Sequence, residues 1–303
     1  MSDKPAAEVD VDEALVRALL THAPEVIPDA ATVAVRRVAE GWDCTIWRVG
    51  DHLAARLPRR RVAAALIDHE HLALPRLAPR LAAVGIGVPV PLFAGEPAHG
   101  YPWRWSVVPW IDGDTGIHVP RESRGGWVHV LAGALVALHG PADADHPVNP
   151  MRGGALATRA DGVGERVAAL RASGAHAELV DAAEEAWEDG LAAHPWRGAP
   201  VWVHGDLHPG NLIARGSDLV GIIDFGDVTG GDPAYDLAVA WLAFDPVGRS
   251  AFRAAVAGAY DDATWVRARA WAAAMGLLLM AHSDDAPDFL ELGISTLREV
   301  AQD

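Results

Sequence analysis

Apolar positions change their period twice along this chain, and those changes divide it. Leu15, Leu19 and Leu20 recur at helical spacing within residues 10–22, which predicts an opening helix. Between Val33 and Leu57 the pattern shortens. Val33, Val35 and Val38, then Thr45, Ile46, Trp47 and Val49, then residues 53–57 predict three short strands, broken at Glu40-Gly41-Trp42-Asp43 and at Gly50-Asp51. Leu66, Glu70, Leu74 and Leu77 then share one side of a helix predicted over residues 62–81. Pro89 and Pro91 open another extended region, and Tyr101 to Trp110 reads as an aromatic-rich strand. Helix, three strands, helix and two strands predict a small α+β unit over residues 1–110, an antiparallel five-strand sheet with its helix.

From Arg121 onward the helical period dominates. Val128, Leu131, Leu135 and Leu138 mark one helix; residues 164–193 predict one or two more, and residues 234–244 and 248–302 supply others. The interruption falls between Val201 and Asp224. There Leu212 to Ala214 and Leu219 to Ile223 flank a Gly-Ser-Asp turn and predict a hairpin. The polar, glycine-bearing run Ile111-Asp112-Gly113-Asp114-Thr115-Gly116 suits a hinge, so the larger unit is expected over residues 111–303. The expected fold class is α+β in two lobes, the second mostly helical.

Composition narrows the function. The 303 residues are half apolar and carry a formal charge of −16, which argues against a nucleic-acid or anionic-membrane surface. Cys44 is the single cysteine, no apolar run reaches the ~20 residues of a membrane span, and the acidic N-terminus does not resemble a secretory leader. A cytoplasmic location is expected. Lys4 is the one lysine, so a phosphate-binding G-x-x-x-x-G-K-[ST] loop and a Schiff-base lysine in the folded body are both excluded.

Chemistry concentrates in one stretch, His204-Gly205-Asp206-Leu207-His208-Pro209-Gly210-Asn211 followed by Asp224-Phe225-Gly226-Asp227. Phosphoryl transfer asks for a group that orients and deprotonates the attacking hydroxyl, and for oxygen ligands that hold Mg²⁺ on the phosphates. A carboxylate with an amide five positions later in a Gly/Pro-rich loop can supply two of these. A second carboxylate at a strand end supplies the third. The stretch fits the kinase pattern H-x-D-x-x-x-x-N then D-F-G, which assigns Asp206 as the group accepting the hydroxyl proton, Asn211 and Asp224 as metal ligands, and His204 as a prop of the loop.

With Gly231-Asp232-Pro233-Ala234-Tyr235-Asp236-Leu237-Ala238 following, the chain resembles the aminoglycoside phosphotransferase and choline-kinase-like family. The resemblance implies a bilobal, protein-kinase-like fold with ATP or GTP between the lobes, Mg²⁺, and an acceptor pocket in the helical lobe. It gives Asp232 and Asp236 structural roles, and it implies a third-strand lysine paired with a glutamate. No lysine is available there; Arg56 is the substitute and Glu70 its partner, as in the macrolide phosphotransferase branch that the run Arg56-Leu57-Pro58-Arg59-Arg60 resembles. Gly41 marks a reduced phosphate loop. Val108 or Trp110 is expected to donate a backbone N–H to the base, since Pro109 has none. Trp103 and Trp105 are expected in the core.

The acceptor implied is a small molecule, an aminoglycoside or macrolide antibiotic above others, with choline, an amino sugar or a hydroxylated amino acid as alternatives. Asp227, Asp112 and Asp114, with residues 284–291, are candidate receivers of ammonium groups. Trp271, Met275, Leu277 and Met280 offer an apolar wall, or simply helix core. Two other classes compete. A metal-dependent hydrolase would use His204, Asp206 and His208 with His69-Glu70-His71, and a non-catalytic nucleotide binder would explain the missing lysine.

Overall fold

The computed structural model describes residues 5–303, and Lys4 lies outside them. Helix α1 (Glu13–Leu20) starts where Asp12 accepts the Leu15 amide at 2.8 Å, the side-chain cap that satisfies an orphan N–H. Strands β1 (Val35–Glu40), β2 (Cys44–Val49) and β3 (Leu53–Pro58) follow, then α2 (Arg61–Ala82), β4 (Phe93–Gly95) and β5 (Trp105–Pro109). These strands form the expected five-strand antiparallel sheet, in the order β1-β2-β3-β5-β4.

The segment expected as a hinge is partly ordered into β6 (Asp114–Thr115), which pairs with β8 (Leu212–Arg215) through Asp114↔Ala214 and Thr115↔Ile213. Helices α3 (Val128–Leu138), α4 (Ala160–Ser173) and α5 (Ala177–Ala192) come next. Gly174, at φ 71°, separates α4 from α5, so the 164–193 region is two helices. Strand β7 (Val201–Val203) leads into the Asp206 loop; β9 (Asp218–Ile222) completes the predicted hairpin with β8, and β10 (Thr229–Gly231) pairs back to β7. The expected helix at 234–244 is divided at Ala238 into α6 (Ala234–Leu237) and α7 (Val239–Ala243). Helices α8 (Pro246–Ala255), α9 (Asp262–His282) and α10 (Pro287–Val300) close the chain.

Two buried clusters organise these elements. The smaller gathers Val16, Leu19 and Leu20 of α1 with Trp47, Ala55, Leu57, Trp105 and Val107 of the sheet. The larger gathers the helices around α9, and Trp271, Leu277 and Met280 lie in it as core. It also takes in Ala73, Leu74, Leu77 and Leu81 of α2. The second half of α2 is therefore packed on the helical body although its neighbours in sequence belong to the sheet. Among the described residues no helix is long and apolar enough to cross a membrane.

Candidate active site

The Asp206 loop is held from below by Asp236. Its carboxylate accepts the His204 amide at 2.7 Å and the Gly205 amide at 3.1 Å, and His139 reaches the same carboxylate at 3.2 Å. Gly205 must be glycine: its φ is 85°, and a Cβ there would lie 2.3 Å from the Asp227 carbonyl oxygen. The His204 ring is fully buried. Its Nδ1 accepts the Asp206 amide at 3.2 Å, so the proton sits on Nε2 and is donated to the Ile223 carbonyl at 3.0 Å. That ring ties the loop to the strand end carrying Asp224.

Around Asp206 the polar groups converge. Asn211 Nδ2 donates to the Asp206 carbonyl at 2.8 Å and to its Oδ2 at 3.3 Å, which leaves Asn211 Oδ1 as the open acceptor of that amide. His208 Nδ1 accepts the Gly210 amide at 3.0 Å, so its Nε2–H faces Asp206 Oδ2, 3.6 Å away. Burial works against the Asp206 charge. The His208 contact and the Arg152 cation outweigh it and hold the carboxyl well below the usual carboxylate range.

On one side of this loop stands Arg56. Its Nη1 donates to Glu70 Oε1 at 2.6 Å and its Nη2 to Asp224 Oδ1 at 3.0 Å. Arg56 is 8% exposed and Glu70 1%, whereas the Asp224 carboxylate is 55% exposed and reaches the cleft from a left-handed backbone (φ 63°, ψ 63°). Burial disfavours the Arg56 cation, but Glu70 and Asp224 more than compensate, so it is held firmly protonated. The substitute for lysine and its predicted glutamate thus meet, and Arg56 also touches the D-F-G carboxylate. Asp43, at the β1–β2 turn, has its carboxyl pushed up by burial and by the nearby Asp224 charge, against the opposing pull of Arg60.

On the other side stands Arg152, which the periodicity did not single out. Its Nε and Nη2 donate to Asp227 Oδ2 at 3.0 and 2.9 Å, its Nη1 donates to the Tyr235 hydroxyl at 2.9 Å, and its Nη2 lies 3.5 Å from Asp206 Oδ1. Asn149 Nδ2 donates to the other Asp227 oxygen at 2.7 Å. Asp227 was expected to await an ammonium group; both its oxygens are already engaged, and its charge is neutralised by a guanidinium.

The nucleotide-facing expectations need a correction at the hinge. Trp110 N–H donates to the His52 carbonyl at 2.7 Å, and Val108 pairs with Ala54. In an antiparallel ladder alternate residues face the same neighbour, so Val108 and Trp110 both turn their backbone groups to β3. Pro109 and Ile111 turn theirs the other way. The Trp110 ring carries Arg48 above it, 4.3 Å from guanidinium carbon to ring centre. Gly41 N–H donates to Cys44 O at 2.8 Å and closes the β1–β2 turn, so this amide too is engaged within the protein. Cys44 is buried beside it.

The other acids stand elsewhere. Asp112 pairs with Arg48 at 3.2 Å, at the hinge, and Asp114 is exposed on β6. In the 284–291 cluster Asp288 lies 3.4 Å from His118 and Glu291 pairs with Arg298 at 3.2 Å. Asp232 accepts the Ala234 amide at 3.0 Å, a helix-start cap, and is buried against Arg267 at 2.7 Å. Of the six candidate ligands of the hydrolase reading, the three at 69–71 diverge: His69 goes to the Gly226 carbonyl, Glu70 to Arg56 and His71 to Ser106. Among the described residues no group of three or more His, Cys, Asp or Glu could hold a metal alone. Mg²⁺ on a nucleotide needs no such group, since one or two protein oxygens and the phosphates complete its shell.

A model of the phosphotransferase enzyme family matches residues 34–271. No curated protein sequence matches the chain. Among solved structures, the GDP complex of a wild-type aminoglycoside 2′-phosphotransferase superposes with a TM-score of 0.68 at 19% identity, covering 96% of this chain and 99% of that one. An aminoglycoside phosphotransferase complex with GDP and kanamycin gives 0.64 at 18% identity, over 93% and 99%. The macrolide 2′-phosphotransferase of Brachybacterium faecium gives 0.56 at 20% identity, over 92% and 97%. At these identities the likeness is one of fold.

Proposed function

The chain belongs to the phosphotransferase enzyme family, and from that premise we propose that it moves the γ-phosphoryl group of ATP or GTP to a hydroxyl of a small molecule, with Asp206 as base. One observation carries the reading. Asp206, Asn211 and Asp224 are brought together, Asn211 by its amide to Asp206, and the strand end that carries Asp224 by the His204 ring, which joins the Asp206 amide to the Ile223 carbonyl, and by the Ile223 amide, which donates to the Asn211 carbonyl.

In this scheme the acceptor hydroxyl donates to an Asp206 oxygen, its oxygen forms the new O–P bond, and the bond from the γ-phosphorus to the β-phosphate bridge oxygen breaks. The nucleoside diphosphate leaves with that electron pair, and Asp206 takes the proton late. A carboxyl held below its usual range is a weak base, which suits a loose transition state where alignment outweighs proton abstraction. Asn211 and His208 fix the plane of that carboxylate. Arg56, already a cation against Asp224, is placed for the phosphates. The open Asn211 Oδ1 and the half-exposed Asp224 carboxylate fit Mg²⁺, which when bound would neutralise phosphate charge. Residues 1–110 and 111–303 serve as the nucleotide and acceptor lobes of this reading.

Relatives of this fold act on aminoglycosides and macrolides, so an antibiotic is the acceptor class to test first, ahead of choline or a sugar metabolite. A panel of hydroxyl compounds incubated with Mg²⁺ and either ATP or GTP should give acceptor-dependent diphosphate release, abolished in Asp206→Ala. Nucleotide binding without acceptor-dependent release from any compound would favour the non-catalytic alternative.

A further inference from the structure

We infer that Arg152 sets the class of acceptor: the hydroxyl phosphorylated lies on a part of the substrate that bears no ammonium group. This inference rests on the phosphotransferase reading above and narrows it.

A site built to receive polycationic acceptors leaves carboxylates open near the base, because an ammonium group taken from water needs a charged partner in return. Here the two acids on the acceptor side of the cleft are both in contact with one guanidinium. Arg152 makes two charge-assisted bonds to Asp227 and lies within 3.5 Å of Asp206. Tyr235 accepts its third arm, and Asn149 occupies what remains of Asp227. The side chain is 26% exposed, so this cation is presented to the cleft and not sealed beneath it. An ammonium beside the reacting hydroxyl would meet like charge and would have to displace Arg152 to reach Asp227. A neutral neighbour, or a hydrogen-bond acceptor, would meet a donor.

A second observation agrees. The cavity of about 330 Å³ that begins at Gly153, the next residue along, is lined by Leu156, Leu191, Pro195 and Trp196. Its charged residues, Asp232 and Arg267, are bonded to each other at 2.7 Å. No open carboxylate for an amine lies on that wall either. Asp112 pairs with Arg48; Asp288, beside the Phe289 ring that packs on His208, lies 3.4 Å from His118 on the rim of the loop and could meet an ammonium only on a part of the acceptor remote from Arg152.

The test reads binding, so it does not wait on identification of the substrate. Calorimetric titration of the full chain, with Mg²⁺ and a non-hydrolysable nucleotide, would use kanamycin as the polyammonium probe. Arg152→Gln keeps a donor for Tyr235 but removes the charge and frees Asp227. It should bind kanamycin at least tenfold more tightly than the unsubstituted protein. Arg152→Lys, which retains the cation, should stay within about threefold of the unsubstituted value. Asp227→Asn, which removes the nearer of the cation's two carboxylates and leaves Asp206, should weaken kanamycin binding further. Tighter binding to the unsubstituted chain than to Arg152→Gln, or no change among the variants, would overturn the inference. Loss of all nucleotide binding that depends on Mg²⁺ and on Asp224 would instead overturn the phosphotransferase reading, and is measured in the same cell without kanamycin. Circular dichroism of each variant separates misfolding from either result.

Discussion

Two arginines each bridge a pair of acids across this cleft, and they differ in nearly every other respect. Arg56 rises from the middle of a sheet, is almost wholly buried, and joins Glu70 to Asp224. Arg152 comes from an irregular stretch between α3 and α4, is partly open to solvent, and joins Asp227 to Asp206. A buried pair that loses one member leaves an uncompensated charge in low dielectric, whereas a pair 26% and 21% exposed leaves a charge that water can partly reach. The contrast assigns different work to the same side chain. On the proposed function, Arg56 belongs to the architecture of the nucleotide side, and Arg152, the more open of the two, is the one placed to tune what the acceptor side admits.

Asp206→Ala gives the largest effect expected here: a loss of turnover of about 10²–10⁴-fold, read by diphosphate release, with nucleotide affinity little changed. Near-normal turnover would remove Asp206 from the chemistry. Asp224→Ala should chiefly weaken Mg²⁺-dependent nucleotide binding, measured by titration with and without the metal. The stability comparison comes next. Glu70→Ala strands Arg56 on its buried side and should cost about 3 kcal/mol in denaturant unfolding, reduced to the extent that Asp224 compensates. Asp227→Asn should cost less than Glu70→Ala, because its pair is more open to water. Equal costs would erase the distinction between the two bridges.

The smallest expected effect is a displacement in pH. A folded-state carboxyl depressed below its unfolded value stays charged as pH falls through the ordinary range near 4, and its contribution is lost only below that. Asp206 is depressed by His208 and Arg152 against its own burial. Arg152→Gln removes one of those causes, so the acid limb of kcat/KM should move upward, toward the ordinary carboxylate value. An unmoved limb would show that His208 alone sets it.

How much of this was legible beforehand follows from what each residue obeys. The strands, the hairpin and the Asp206–Asn211 and Asp224-Phe225-Gly226 spacing are local patterns, and local patterns survive translation into structure. Arg56 and Glu70 were readable because the family resemblance implies a cation on the third strand, the single lysine at position 4 leaves arginine to supply it, and helix period puts Glu70 on the inner face. Arg152 was not. It lies in Asn149-Pro150-Met151-Arg152-Gly153-Gly154, where no period operates, and its partners are 54 or more positions away. The hinge donors failed for a subtler reason. Proline at 109 removes one amide as foreseen, but strand register decides which way its neighbours face, and register is fixed by β3, not by the hinge itself. Asp227 looked available because adjacency to a proposed metal ligand says nothing of who already holds it.

The packing of α2 carries one more implication. Its second half is embedded with the helical body while His71 bonds Ser106 of β5 at 2.7 Å, so Glu70 stands where one rod is fastened to both. Arg56 is then the lone member of its trio borne by the sheet. Its guanidinium is therefore the strut by which the third strand leans on the D-F-G turn, a load carried by one side chain.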